Sequence, residues 1–268
     1  MTRLRTWRSG IVGGGVVLAA CALFLVVLAP ATLIDSGLRR ATHGVLRLAQ
    51  AQGTLWSGSG RLEIRDPARQ TGIGKAVAWV WRPRSLLHGR LGYQVSIDHA
   101  AGFPLHLSAH GVDVADVDFS VPAAALGLAV PRMASLGLRG DVAVRIARFT
   151  RTDDGVWADA VVTWKDAGSA LTTVAPLGTY ALRIDSVAGA LNASLHTRSG
   201  PLQLRGGGSW RSGMLSDYSV TARVDAKDKA QLAPLLRLIA IERANGDFAL
   251  QFGPPLSNVS AANSPETR

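Results

Sequence analysis

A chain of 268 residues with 47% hydrophobic content has enough apolar material for one substantial domain or two small ones packed together. Its formal charge of +10 comes from arginines spread singly along the chain, with no basic block, which argues against a nucleic-acid partner. The one cysteine, Cys21, excludes an intrachain disulfide, so stability has to come from packing.

The N-terminal region decides the topology. Arg3, Arg5 and Arg8 precede an apolar run from Gly10 to Ala29. At about 1.5 Å per residue, a helix of that length crosses the roughly 30 Å hydrocarbon layer of a bilayer. The arginines stay on the cytoplasmic side. The expected layout is residues 1–9 cytoplasmic, 10–30 a single transmembrane helix, 31–253 a β-rich domain across the membrane, and 254–268 a disordered tail. Two other fates of the segment are weaker. Leu18-Ala19-Ala20-Cys21 has the form of a lipobox that would lead to a lipidated Cys21, but the apolar run continues through Leu28. Ala29-Pro30-Ala31 has the small-x-small form of a cleavage site, yet its proline hinders the cut.

Beyond the run, apolar and polar residues alternate with period two. Leu91, Tyr93, Val95 and Ile97 face one way, and Gln94, Ser96 and Asp98 the other. The same logic recurs at Phe103–Ala109, Val142–Ile146, Leu202–Leu204 and Tyr218–Val224. Such alternation sets one strand face on a core and the other in water. Turn residues separate the runs at 98–102, 153–155, 198–201 and 211–213. Spacings this short favour antiparallel neighbours. The fold class expected is mainly β: a long, curved antiparallel meander after the N-terminal helix, with one or two short helices. Helical segments are expected over Thr32–Arg40, Pro122–Leu128 and Asp228–Ile241, the last becoming regular near Ala233 because Pro234 interrupts it. Asp247–Phe252 reads as a final strand.

The search for chemistry returns little. His106 and His110 would share the polar face of one strand about 13 Å apart, too far for a common zinc. Asp113, Asp116 and Asp118 lack the glycine and closing glutamate of a calcium loop and read as loop or edge-strand carboxylates. Trp56-Ser57-Gly58-Ser59-Gly60 fails the G-x-S-x-G pattern at either serine. Gly206-Gly207-Gly208 has no lysine and hydroxyl to hold a phosphate, and fits a bulge or a close approach of strands. No catalytic residue, metal ligand or cofactor site is assigned, and no enzyme is expected.

Several short motifs stand in a defined order. Gly53-Thr54-Leu55-Trp56-Ser57-Gly58 follows the anchor, with Gly53 and Gly58 flanking a short strand expected to bury Leu55 or Trp56. Trp79-Val80-Trp81-Arg82-Pro83 leads through Leu86-Leu87-His88 to Gly89 and Leu91, where Pro83 turns the chain and Gly89 begins the next strand. Leu138-Arg139-Gly140-Asp141-Val142, then Pro176-Leu177-Gly178-Thr179-Tyr180, and finally Gly200-Pro201-Leu202 complete the series.

Together with the anchor and the length, this series resembles the general secretion pathway protein N family of the type II secretion system. The resemblance implies a protein of the Gram-negative inner membrane, with its N-terminus cytoplasmic and a β domain in the periplasm. Its partners would be other secretion components, namely the secretin and inner-membrane platform proteins, besides membrane lipid around the anchor. The resemblance carries over no catalytic residue. The candidate contact surface is the neighbourhood of Trp56 and the Trp79–Leu91 hairpin, since sheet edges and exposed aromatics accept partners. The alternative is a membrane-anchored lipid-binding or lipid-transfer protein that holds acyl chains on the apolar face of the sheet.

Overall fold

The computed structural model describes residues 20–21, 24–65, 72–98, 100–129, 131–211, 214–242 and 248–250. Most of the expected transmembrane helix, and the tail from 251, lie outside these residues. Residues 24–27 are helical. Among the described residues no helix is long and apolar enough to cross a membrane.

After this turn of helix come α1 (Thr32–Ala41), β1 (Leu46–Gly53), β2 (Ser57–Arg65), β3 (Gly72–Arg82), a 3-10 turn (Pro83–His88), β4 (Leu91–Ile97), β5 (Phe103–Ser108) and β6 (Gly111–Pro122). Two short helices, α2 (Ala124–Ala129) and α3 (Pro131–Ala134), lead to β7 (Leu138–Thr152) and β8 (Gly155–Ser169). Then follow β9 (Gly178–Val187), β10 (Ala190–Ser199), β11 (Leu202–Arg211), β12 (Met214–Val224), α4 (Ala226–Ile239), β13 (Ala240–Glu242) and β14 (Phe248–Leu250). All strands join one antiparallel sheet in the order β1 through β12, then β14 and β13. The expected meander is present. Its turns after β1, β3, β5, β7, β9 and β11 all fall at one end of the strands. We call this the tryptophan end, because Trp56 lies there.

Directly paired residues share a face, so the register carries a single apolar face across the sheet. It runs from Trp79 through Val95, from Tyr93 through Leu105 to Val114, then from Phe149 to Ala158. Farther on it continues through Val162, Leu182, Leu195, Gly206 and Val220. The opposite face carries ion pairs such as Arg145–Asp118 at 2.7 Å, Arg148–Asp113 at 3.7 Å and Arg183–Asp159 at 3.7 Å.

Helices cover the apolar face near both edges of the sheet. At one, Ala31, Ile34 and Leu38 pack with Leu48, Trp79 and Tyr93. At the other, Leu232, Leu235 and Leu236 of α4 pack with Leu202, Val220 and Ala222. The helix α2 touches β7 as well as β2 and β3. A six-residue helix is about 9 Å long, whereas β3 and β7 in a flat sheet would stand about 19 Å apart. The sheet therefore curls.

Three expectations need correction. The helix α4 starts at Ala226 and runs through Pro234, because burial of Leu232, Leu235 and Leu236 outweighs the backbone bond that the proline removes. The aspartates 113, 116 and 118 lie on β6, an interior strand paired on both sides. They occupy neither a loop nor an edge: Asp113 accepts from Thr150 Oγ1 at 2.7 Å and Asp118 from Arg145. Finally, β5 stops at Ser108, so His110 sits in the following turn beside Asp153 at 3.4 Å, and does not share a strand with His106.

Candidate functional site

The site is assembled from the turn between β1 and β2. Gly53, at φ +86°, takes a backbone conformation that other residues resist. The Thr54 hydroxyl closes the turn by accepting from the backbone N–H groups of Trp56 (3.3 Å) and Ser57 (3.2 Å). The chain leaving the apolar run docks alongside. Leu55 N–H donates to Ala29 C=O (2.7 Å), Ala31 N–H donates to Gly53 C=O (3.2 Å), and Pro30 bridges to Thr54. The Gly53–Gly58 segment is thus a tied turn, not a short strand. Leu55 and Trp56 are half-buried, and the buried residue is Trp79.

Three tryptophans meet here. Trp79 Nε1–H points at the carbonyls of Thr54 and Leu55, each at 3.2 Å. The rings of Trp56 and Trp81 lie 5.0 Å apart at 54°, a tilted pair, and Trp81 N–H donates to Trp56 C=O at 2.7 Å. Trp56 Nε1–H donates to Val26 C=O at 2.8 Å, reaching back into the helical turn of residues 24–27. Glycine at 58 is required by this packing, since a Cβ there would come within 2.6 Å of Trp79 Cζ2.

From Trp81 the chain runs through Arg82 to Pro83, which opens the 3-10 turn as expected. Gly89 caps that turn at φ +66°, two residues before β4 opens at Leu91. Its position is therefore a cap and not a strand start. The turn leaves Leu86 at 49% and Leu87 at 87% exposure, beside exposed Arg82, Arg84 and Arg90. Farther along the same end of the strands, Val156, Trp157 and Val187 are also exposed. None of these three stood out in the sequence; only the pairing register brings them to the end where the chain leaving the apolar run docks.

The second group of signature residues lies elsewhere. Pro176, Leu177, Gly178 and Tyr180 sit at the opposite strand ends, on and before β9. The Ala175–Pro176 peptide is cis. Leu177 is in the apolar cluster under α4. Tyr180 O–H faces the carbonyls of Leu177 (3.1 Å) and Leu202 (3.0 Å), and its ring packs 5.9 Å from Trp164. Burial pushes its phenol well above the ordinary value. These residues brace the fold and do not join the tryptophan group.

Among the described residues no three His, Cys, Asp or Glu side chains converge as a metal would require. The arrangement offers apolar and aromatic contact with basic side chains nearby. No curated protein and no solved structure matches the chain. The family described as type II secretion system (T2SS), protein N, matches residues 45–251, a span that contains both groups of signature residues. The chain belongs to the type II secretion system protein N family.

Proposed function

We propose that the protein is a single-pass inner-membrane component of the type II secretion machinery, with residues 1–9 in the cytoplasm and 31–253 in the periplasm. Its role is assembly, not catalysis. It works through the tryptophan end of the sheet, where it meets inner-membrane platform subunits or the secretin.

The observation that carries this reading is the bond from Trp56 Nε1–H to Val26 C=O. A backbone that ends an apolar segment is fixed to the sheet, so the anchor and the tryptophan end are held together. Phe24 through Leu28 are each more than half exposed, as suits residues at a lipid boundary. Leu86, Leu87 and the adjoining arginines then stand near the bilayer surface, where anionic headgroups attract basic side chains.

The test is a photo-crosslinking amino acid placed at Leu87 in secreting cells. Capture of platform or secretin subunits is the expected result. A probe that captures only proteins unrelated to secretion overturns the reading.

A further inference from the structure

One turn at the tryptophan end carries apolar side chains outward on a fixed support. Leu87 of the 3-10 turn is the most exposed large apolar side chain among the described residues, and Leu86 beside it is also exposed. The backbone beneath them is tied down. Gly89 N–H donates to Leu86 C=O at 2.9 Å, and Arg90 N–H to Ser85 C=O at 3.2 Å. The Ser85 side chain rests on Gly92, where a Cβ would collide with it. Charge is sorted along this end of the sheet. Arg82, Arg84 and Arg90 are exposed around the leucines, and no aspartate or glutamate stands between Asp66 and Asp98. The turn after β7, four strands farther on, carries Asp153 and Asp154 instead. The basic corner is also the one beside the apolar run. Trp81, two residues before Pro83, packs its ring 5.0 Å from Trp56, whose indole bonds Val26.

We propose that the Pro83–His88 turn is a second membrane contact, selective for anionic phospholipid. Leu86 and Leu87 enter the headgroup layer of the bilayer that holds the apolar run, and Arg82, Arg84 and Arg90 meet its phosphates. The sheet then rests on its β1–β4 corner, with the Asp153–Asp154 turn repelled from the surface. Two arguments favour lipid at this tip. The contact of Trp81 with Trp56, and of Trp56 with Val26, brings the end of the apolar run to the base of the turn. Two leucines also expose far less than the roughly 800 Å² that a standard protein interface buries on each partner. A tethered surface needs little area, because the tether supplies a high effective concentration. Platform subunits in the same bilayer reach the turn from the side, so the capture expected at Leu87 in cells is compatible with lipid there.

The inference rests on the membrane placement proposed above and adds an orientation and a lipid class to it; the test separates the two. The full-length protein, in a Cys21→Ser background, is placed in nanodiscs of phosphatidylethanolamine and phosphatidylglycerol. The discs contain phospholipid with a nitroxide near the head of its acyl chain. A nitrobenzoxadiazole probe is attached in turn to Leu87→Cys, Leu28→Cys and Asp154→Cys. Quenching at positions 87 and 28, but not at 154, is the expected result. Arg84→Gln combined with Arg90→Gln should lower the bound-to-free ratio of the turn about thirtyfold. Exchanging phosphatidylglycerol for phosphatidylcholine should weaken the same signal in the unaltered turn, which guards against misfolding of the double variant. Quenching at 28 alone overturns the turn contact and leaves the anchor intact. Quenching at 87 alone supports the contact and overturns the anchor. Equal quenching at 87 and 154 overturns the orientation, and quenching at 87 that survives the loss of phosphatidylglycerol overturns the lipid selectivity. A disulfide between two copies of the Leu87→Cys chain, without quenching, assigns the tip to a second molecule and overturns the proposal.

Discussion

The indole N–H of Trp56 donates to the Val26 carbonyl at 2.8 Å across thirty residues of chain, and through it the first turn of the sheet grips the end of the apolar segment. Val26 lies in a helical turn, and its carbonyl also accepts from the Ala29 backbone N–H at 3.3 Å. The indole thus adds a second donor to a carbonyl already engaged at the end of the helical turn. Neighbouring bonds from Leu55 to Ala29 and from Ala31 to Gly53 extend the grip.

Trp56→Phe keeps the ring beside Trp81 and removes only the donor. Its expected cost is about 1 kcal/mol, the net worth of one hydrogen bond. Limited proteolysis should show faster cleavage around residues 26–31 while the sheet stays resistant.

Trp79 and Trp81 should respond differently to the same change. Trp79 Nε1–H serves two carbonyls, whereas Trp81 Nε1 is buried without a hydrogen-bond partner. Losing a partnered donor leaves acceptors unsatisfied, while losing an unpartnered one relieves a desolvation cost. Urea unfolding should find Trp79→Phe more destabilising than Trp81→Phe by about 1 kcal/mol or more.

Burial raises the Tyr180 phenol above its ordinary value near 10. The unfolded chain therefore loses this proton first as the solution becomes alkaline. The associated stability is fully present below pH 10 and declines as pH rises from there toward the folded value, by up to about 1.4 kcal/mol per pH unit. Tyr180→Phe should flatten that decline, leaving the smaller part due to Tyr93, which burial also raises. At neutral pH the same variant should cost about 1–3 kcal/mol, since the buried Leu177 and Leu202 carbonyls lose a donor. Denaturation midpoints between pH 7 and 11 check both.

Leu236 of α4 is fully buried, whereas Arg145 on the opposite sheet face is 76% exposed at its side chain. Leu236→Ala should cost about 2–5 kcal/mol through lost burial and a cavity. Arg145→Ala, which breaks the ion pair with Asp118, should cost at most about 1 kcal/mol. Chemical denaturation of the two variants side by side measures the contrast.

Alternation was readable wherever one strand kept an unbroken period of two, as at Leu91–Ile97 and Phe103–Leu107. On β6 the signal was broken. Asp116 has φ +54°, so Val112 and Val114 before it share a face with Val117 and Phe119 after it despite the odd spacing. The aspartates between them consequently looked like loop residues. Pro234 misled for another reason: local backbone preference yielded to the burial of three leucines that only the folded sheet brings into contact. The signature motif around Trp56 was legible as a set of residues, but its partner was not. A backbone carbonyl at Val26 leaves no mark in composition, and the exposed Trp157 and Val187 reach the same end only through the pairing register.

A topology reporter puts the largest stake on the whole account. Alkaline phosphatase, which folds actively only outside the cytoplasm, would be fused after Arg268 of the full chain. High activity with no signal from a matched cytosolic reporter is the predicted result. Inactive phosphatase with an active cytosolic reporter would place the sheet on the wrong side of the membrane and contradict the proposed role.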